Sequence, residues 1–281
     1  MQKQRKNPKE TKGTPKNRLL QRTQYIEKVM SLRPIDDTLG TKMFENAGID
    51  CTKLLVNTIV GKDLKITSCT TQCTVSNLQG RGMRLDVYTE SSQNDILCGI
   101  EFQIDDKGAT AKRARFNSSL MDANFSKKGE KHKELPETYT IFITEHDVFG
   151  AGLPIYHVER YVTETGKRFK DDAHIIYVNT DYQDENSDLG KLIHDLKCQN
   201  PEDMYYPEFA NRMAYLKSNK KEVNTMCRAV TELVDEALTK VAVNLAREGI
   251  DVETISTATQ LPIEVVEQLL TERNIPIIHK H

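Results

Sequence analysis

The sequence predicts an α/β fold, with a mixed central sheet flanked by helices and an α-helical C-terminal extension. Three observations carry this expectation. Runs rich in β-branched and aromatic residues at 65–75, 83–89, 96–104, 139–143 and 174–178 read as strands. A helical period over about 111–125 separates the third run from the fourth. From Leu189 onward the periodicity is helical throughout. Helix, strand, hairpin, helix and strand in that order suit a sheet with helices on its faces.

The folded part opens at Leu32-Arg33-Pro34-Ile35-Asp36-Asp37. Asp37 before Thr38 is a helix start, and Leu39, Met43 and Phe44 follow at helical spacing. A second helix over 51–59 turns Leu54, Leu55, Thr58 and Ile59 inward. The strands at 83–89 and 96–104 flank the turn residues Ser91-Ser92-Gln93-Asn94-Asp95, which makes them a β-hairpin. A polar linker at Asp105-Asp106-Lys107-Gly108 leads into the 111–125 helix. Beyond the last strand, Leu192, Ile193 and Leu196 form one apolar stripe. A long helix over 222–248 ends at Gly249, and two short ones over 252–257 and 263–272 follow. Their helix-turn-helix look implies a small core of Ile255, Ala258, Leu261, Val265 and Val266. Glu264, Glu267 and Glu272 against Arg273 make the second helix a poor phosphate reader, so packing or self-association is an equal reading.

Length and charge set the organisation. A chain of 281 residues, 38% of them hydrophobic, holds one sizeable domain and a smaller module. The expected division is a basic disordered arm over 1–24, a main domain over 30–220 and a helical module over 221–281. The arm sets Lys3, Arg5, Lys6, Lys9, Lys12, Lys16, Arg18 and Arg22 against Glu10 alone, while the net charge of the whole chain is −2. It reads as a solvated segment, with an auxiliary phosphate contact as its functional alternative. No apolar stretch follows those basic residues, and none is long enough to span a bilayer, so a cytoplasmic protein without membrane contact is expected. Cys51, Cys69, Cys73, Cys98, Cys198 and Cys227 read as reduced thiols, because no second close pair or histidine cluster completes a zinc site. The histidines stand at no metal-ligand spacing. Without a glycine-rich phosphate loop or a serine-hydrolase elbow, no organic cofactor is expected.

The candidate chemistry lies in the hairpin. Centring its turn between Gln93 and Asn94 sets Asp86 opposite Glu101, and Gln103 shares the face of Glu101. Opposed Cβ atoms lie roughly 4.5–5.5 Å apart, so the two carboxylates repel unless a proton or cation intervenes. Mg²⁺ suits such a pair. Leu85, Val87, Ile100 and Phe102 are the apolar alternates, but a solvated hairpin would show the same alternation. Pattern alone leaves both readings open.

Several segments in order resemble the PD-(D/E)XK nuclease family transposases, also described as recombination-promoting nucleases. They are Arg84-Leu85-Asp86-Val87, Gly99-Ile100-Glu101-Phe102-Gln103, Lys112-Arg113-Ala114-Arg115-Phe116, Leu135-Pro136-Glu137-Thr138-Tyr139, Gly152-Leu153-Pro154-Ile155-Tyr156-His157, His174-Ile175-Ile176-Tyr177-Val178-Asn179 and Leu189-Gly190-Lys191-Leu192. The likeness runs from about Leu32 to Arg228. It implies a restriction-endonuclease-like fold and a DNA endonuclease dependent on Mg²⁺ or another divalent cation such as Mn²⁺. Asp86 and Glu101 are the implied metal ligands, with Asp37 as a further candidate whose alternative is a helix N-cap. Gln103 stands where more distant nucleases have lysine, and can orient water or a phosphate oxygen by hydrogen bonds. Arg113 and Arg115 are the expected DNA contacts. Residues two apart on a helix diverge by about 200°, so only one can meet the reacting phosphate, and Arg113 is the better placed. Family members usually carry tyrosine where this chain has Phe116, which leaves any role of that hydroxyl in doubt. Double-strand cutting by a one-site domain favours a homodimer. The rival reading is a DNA-binding protein on an inactive nuclease scaffold. A third, an RNA-directed nuclease, is separated by comparing cleavage of both nucleic acids.

Overall fold

The computed structural model describes residues 15–75, 80–91, 96–125 and 131–280. Residues 1–14 of the expected basic arm, and most of the hairpin turn, lie outside that set. The chain runs α1 (Pro15–Met30), α2 (Asp37–Met43), α3 (Ile49–Val60), β1 (Ile66–Val75), β2 (Met83–Ser91), β3 (Ile96–Gln103), α4 (Ala111–Phe125) and β4 (Glu137–Thr144). It continues β5 (Ile155–Val158), β6 (Tyr161–Val162), β7 (Lys167–Arg168), β8 (Ala173–Asn179), α5 (Asp188–Lys197), α6 (Pro207–Ser218), α7 (Lys220–Arg247), α8 (Val252–Thr259) and α9 (Ile263–Glu272).

Six strands form one mixed sheet in the order β1-β2-β3-β4-β8-β5. β1, β2 and β3 pair antiparallel, β3-β4-β8 run parallel, and β5 returns antiparallel to β8. The parallel β3–β4 pair needs a crossover, and α4 supplies it. This is the α/β, restriction-endonuclease-like architecture expected, with helices on the sheet and helices at the C-terminal end. β5, β6 and β7 had no counterpart among the expected strands, because two to four residues carry too little periodicity to register.

β3 is buried on both faces, and each face has its own partner. Phe102 stacks on Phe44 at 5.4 Å, and Phe44 meets Phe209 of α6 edge-on at 5.8 Å. On the opposite face α4 runs back along β3. Alternate strand residues advance about 6.6 Å and i, i+4 helix residues about 6 Å, so the two repeats stay in step. Gly99 faces Met121, Glu101 faces Asn117, and Gln103 faces Arg113. Gly99 permits the close approach, since a Cβ there would lie 2.8 Å from Met121 Sδ and 3.1 Å from Leu85 Cδ1.

The chain divides into two units. Met30–Val223 makes one, and the other holds the described residues before Met30 together with those from Asn224 on. In the second unit Ala242 and Ala246 of α7 pack with Val252, Ile255, Val266 and Leu270. Ala258 and Val265 stay exposed, contrary to the core expected for this module. α8 buries Val252, Ile255 and Thr259, and α9 buries Val266 and Leu270, so those two residues are a step out of phase with the buried stripes. All six cysteines are free thiols. Among the described residues, no helix is long and apolar enough to cross a membrane.

Candidate active site

The β2–β3 ladder is closed from Ser91↔Ile96 as far as Val87↔Ile100. The next rung would pair Asp86 with Glu101, the register read from the sequence. There the ladder opens. The start of β2 stays with β1 through Leu85, Arg84 and Met83, while the end of β3 stays with β4 through Glu101↔Phe142, Phe102↔Ile143 and Gln103↔Thr144. At the parting the Asp86 carboxylate accepts a hydrogen bond from the Phe102 backbone N–H at 2.8 Å.

Glu101 is only 1% exposed, so the solvated-hairpin reading fails. Its carboxylate accepts from Arg113 Nη2 at 2.5 Å and from Asn117 Nδ2 at 3.2 Å. Arg113 Nη1 donates to Gln103 Oε1 at 3.0 Å and to the Gly108 carbonyl at 3.1 Å. Gln103 Nε2 donates to the Phe102 carbonyl at 3.0 Å. Gly108 makes room for this cluster, because a Cβ there would fall 1.7 Å from Gln103 Oε1. Glu101 opens on a cavity of about 690 Å³ lined by Arg81, Arg84, Lys107, Lys112 and Arg113; Asp86 is not in its wall, and Glu101 is the one acid there among the described residues. Phe116 lines it too and packs against the core beside α4.

Burial raises the Glu101 carboxyl from its ordinary 4.5 to about 7; the Asp86 charge adds to this, while Arg113 and Asn117 oppose it. Burial likewise raises Asp86 from 3.8 to about 6, against the Phe102 N–H and with the help of the Asp37 charge. Each acid is therefore stabilised in its neutral form by folding. That stabilisation is full below the unfolded values and is lost as pH rises through the folded ones. The metal-free protein should gain melting temperature as pH falls from 8 to 5, and Glu101→Gln should flatten part of that slope. Parallel slopes for wild type and variant would contradict the assignment.

Asp37 is the first residue of α2, and the N-cap position belongs to Asp36, whose carboxylate binds the Arg33 backbone and guanidinium. The N-cap alternative for Asp37 therefore falls away. Its carboxylate accepts from Gln72 Nε2 at 2.9 Å and acts on Asp86 through its charge. Arg115 is exposed and outside the cavity wall, as the helical phase requires once Arg113 faces the acids. Asn117, Gly108, Arg81, Arg84, Lys107 and Lys112 line the cavity with Glu101 and Arg113, and sequence reasoning did not single them out. The spacing from Arg113 to Asn117 was the available signal for Asn117.

Two neighbouring carboxylates, Glu101 buried and Asp86 half-buried, suit a hard divalent cation, which takes oxygen ligands and usually one or two carboxylates plus water. Among the described residues no group of three or more His, Cys, Asp or Glu stands ready to hold a metal.

No curated protein and no solved structure matches the chain. Residues 51–244, about two thirds of the chain, match the family model described as PD-(D/E)XK nuclease family transposase. That match spans the opened hairpin, α4 and every strand of the sheet, and the protein belongs to the PD-(D/E)XK nuclease family transposases.

Proposed function

We propose that this nuclease-family protein is a divalent-cation-dependent endonuclease that hydrolyses DNA phosphodiester bonds, with Asp86 and Glu101 holding Mg²⁺ or Mn²⁺. The observation that carries the reading is the buried Glu101, one rung from the half-buried Asp86, opening on a cavity walled by five cationic side chains. The acids attract a cation and the wall attracts a polyanion. A divalent cation, when bound, lowers the pKa of a water and neutralises charge on a phosphate oxygen.

The remaining roles fall to the chain itself. Asp86 is fixed by the Phe102 N–H, which leaves its other oxygen free for an incoming ligand. Asn117 fixes one oxygen of Glu101 from beneath. Gln103 Oε1 uses one lone pair on Arg113 and retains a second to orient an attacking water. Arg113 has five donors and can turn those not engaged here toward the phosphate. Arg81, Arg84, Lys107 and Lys112 bind the flanking backbone, and Arg115 is left at most an outer phosphate contact. Two copies would be needed to cut both strands at once, which makes a homodimer the assembly this reading favours.

The Arg113–Glu101 contact also supports a second reading, in which arginine supplies the positive charge permanently and the protein only binds DNA. One experiment separates the two. Supercoiled plasmid should be nicked with Mg²⁺ or Mn²⁺ and left intact with EDTA, and structured RNA run in parallel should be cut less. Cleavage that survives EDTA overturns the proposal, and salt-sensitive binding without any nicking establishes the binder.

A further inference from the structure

The loop after β4 presents large apolar side chains to solvent, and its polar groups are arranged to hold them there. Phe149 is 50% exposed and Leu153 52%, with Val148 beside them also open. Beneath these side chains the Asp147 carboxylate accepts from the Phe149 N–H at 3.0 Å, the Gly152 N–H at 2.7 Å and the Tyr156 hydroxyl at 2.7 Å. The Tyr156 oxygen in turn accepts from the Leu153 N–H at 3.1 Å. A loop tied inward through one carboxylate keeps Phe149 on a fixed base. The Phe149 ring meets Tyr177 edge-on at 5.1 Å and lies tilted against Tyr156 at 4.7 Å.

That base is continuous with the acid site. Glu101, Phe142, Tyr177 and Tyr156 occupy one rung across β3, β4, β8 and β5. Neighbouring strands lie about 4.8 Å apart, so Tyr177 is roughly 10 Å from Glu101 along the rung. Arg113 bridges the interval, its guanidinium 5.8 Å from the Phe142 ring centre. The loop itself begins beside the site, where the Glu145 N–H bonds the Gln103 carbonyl at 2.9 Å.

We propose that Phe149 is a stacking platform for an unpaired nucleobase of the strand whose phosphate occupies the Asp86–Glu101 site, an inference that rests on the nuclease reading. A nucleotide strand offers both groups this surface wants, an anion for the cationic cavity and a flat apolar face a short step away. A protein partner is disfavoured by size. A stable interface needs about 800 Å² from each side, far more than three side chains provide.

The test uses the full chain and an oligonucleotide with 2-aminopurine in a single-stranded overhang, with Ca²⁺ replacing Mg²⁺. Stacking on Phe149 should quench the probe in wild type. Phe149→Ala should abolish the quenching and weaken Kd by about tenfold or more. Phe149→Leu, which keeps apolar bulk, should behave like the alanine variant, and Phe149→Trp should restore quenching. An unquenched probe in wild type, or unchanged binding in Phe149→Ala or Phe149→Leu, overturns the proposal. Nicking of plasmid by wild type with Mg²⁺ is read in parallel. Its absence condemns the nuclease reading, whereas a failed stacking result beside normal nicking condemns the Phe149 platform alone.

Discussion

Asp86→Asn and Glu101→Gln should each lower Mg²⁺-dependent plasmid nicking by on the order of a thousandfold. Removing charge stabilisation worth several kcal/mol at the reacting phosphate has that consequence, because each 1.36 kcal/mol is a factor of ten in rate. Both substitutions keep shape and remove a carboxylate from the parted end of the hairpin. Their side effects differ. Asparagine at 86 retains an oxygen that can accept from the Phe102 N–H. Glutamine at 101 keeps acceptor capacity toward Asn117 or Arg113 but leaves the guanidinium without its counter-charge. Both acids are driven toward neutrality by burial, so neither variant should unfold the protein, and a slight rise in melting temperature at neutral pH is expected. Single-turnover nicking rates within about threefold of wild type would contradict the role assigned to them.

The second large effect is on stability and lies away from the chemistry. Asp195 on α5 is fully buried, and its two oxygens accept from the Tyr205 N–H at 2.9 Å and the Tyr206 N–H at 2.8 Å. His194 Nδ1 stands 3.1 Å from the first of them. Tyr206 is the N-cap of α6, so this carboxylate fixes the entry of the helix that packs Phe209 against Phe44. Alanine at 195 would strip two backbone donors of a charged acceptor. Hydrogen bonds to charged groups contribute about 1.5–3 kcal/mol each, so Asp195→Ala should cost on the order of 3–5 kcal/mol. Asp195→Asn keeps one acceptor oxygen and should cost roughly half as much. Urea denaturation followed in the transition of the sheet-containing unit measures both. A loss below about 1 kcal/mol for the alanine variant would show that water or backbone movement replaces the carboxylate.

The acid pair and Asp195 differ in how far the sequence revealed them. Asp86 and Glu101 could be paired in advance because strand period and turn position determine register, and a one-residue slip would have turned every side chain over. Helical phase likewise separated Arg113 from Arg115. The parting of β2 from β3 was not legible, since it depends on each strand keeping its other neighbour. Burial of Glu101 was hidden for the same reason, because alternation along one strand does not say what covers its polar face. Asn117 and Gly108 enter through the docking of α4, a contact between elements that no local pattern encodes. Asp195 reads locally as an ordinary helix acid, and its importance comes from two backbone groups ten and eleven residues away. The C-terminal module shows the limit from another side. Its helices were legible, yet Ala258 and Val265 were assigned to a core that turns out one phase step away.

Isothermal titration of the full chain with Mn²⁺ tests, without any substrate, whether Asp86 and Glu101 together hold a divalent cation. Wild type should bind one ion with proton release near pH 6.5, where both acids are part-protonated, and Asp86→Asn and Glu101→Gln should each abolish that binding. Equal Mn²⁺ binding by wild type and both variants would contradict the account.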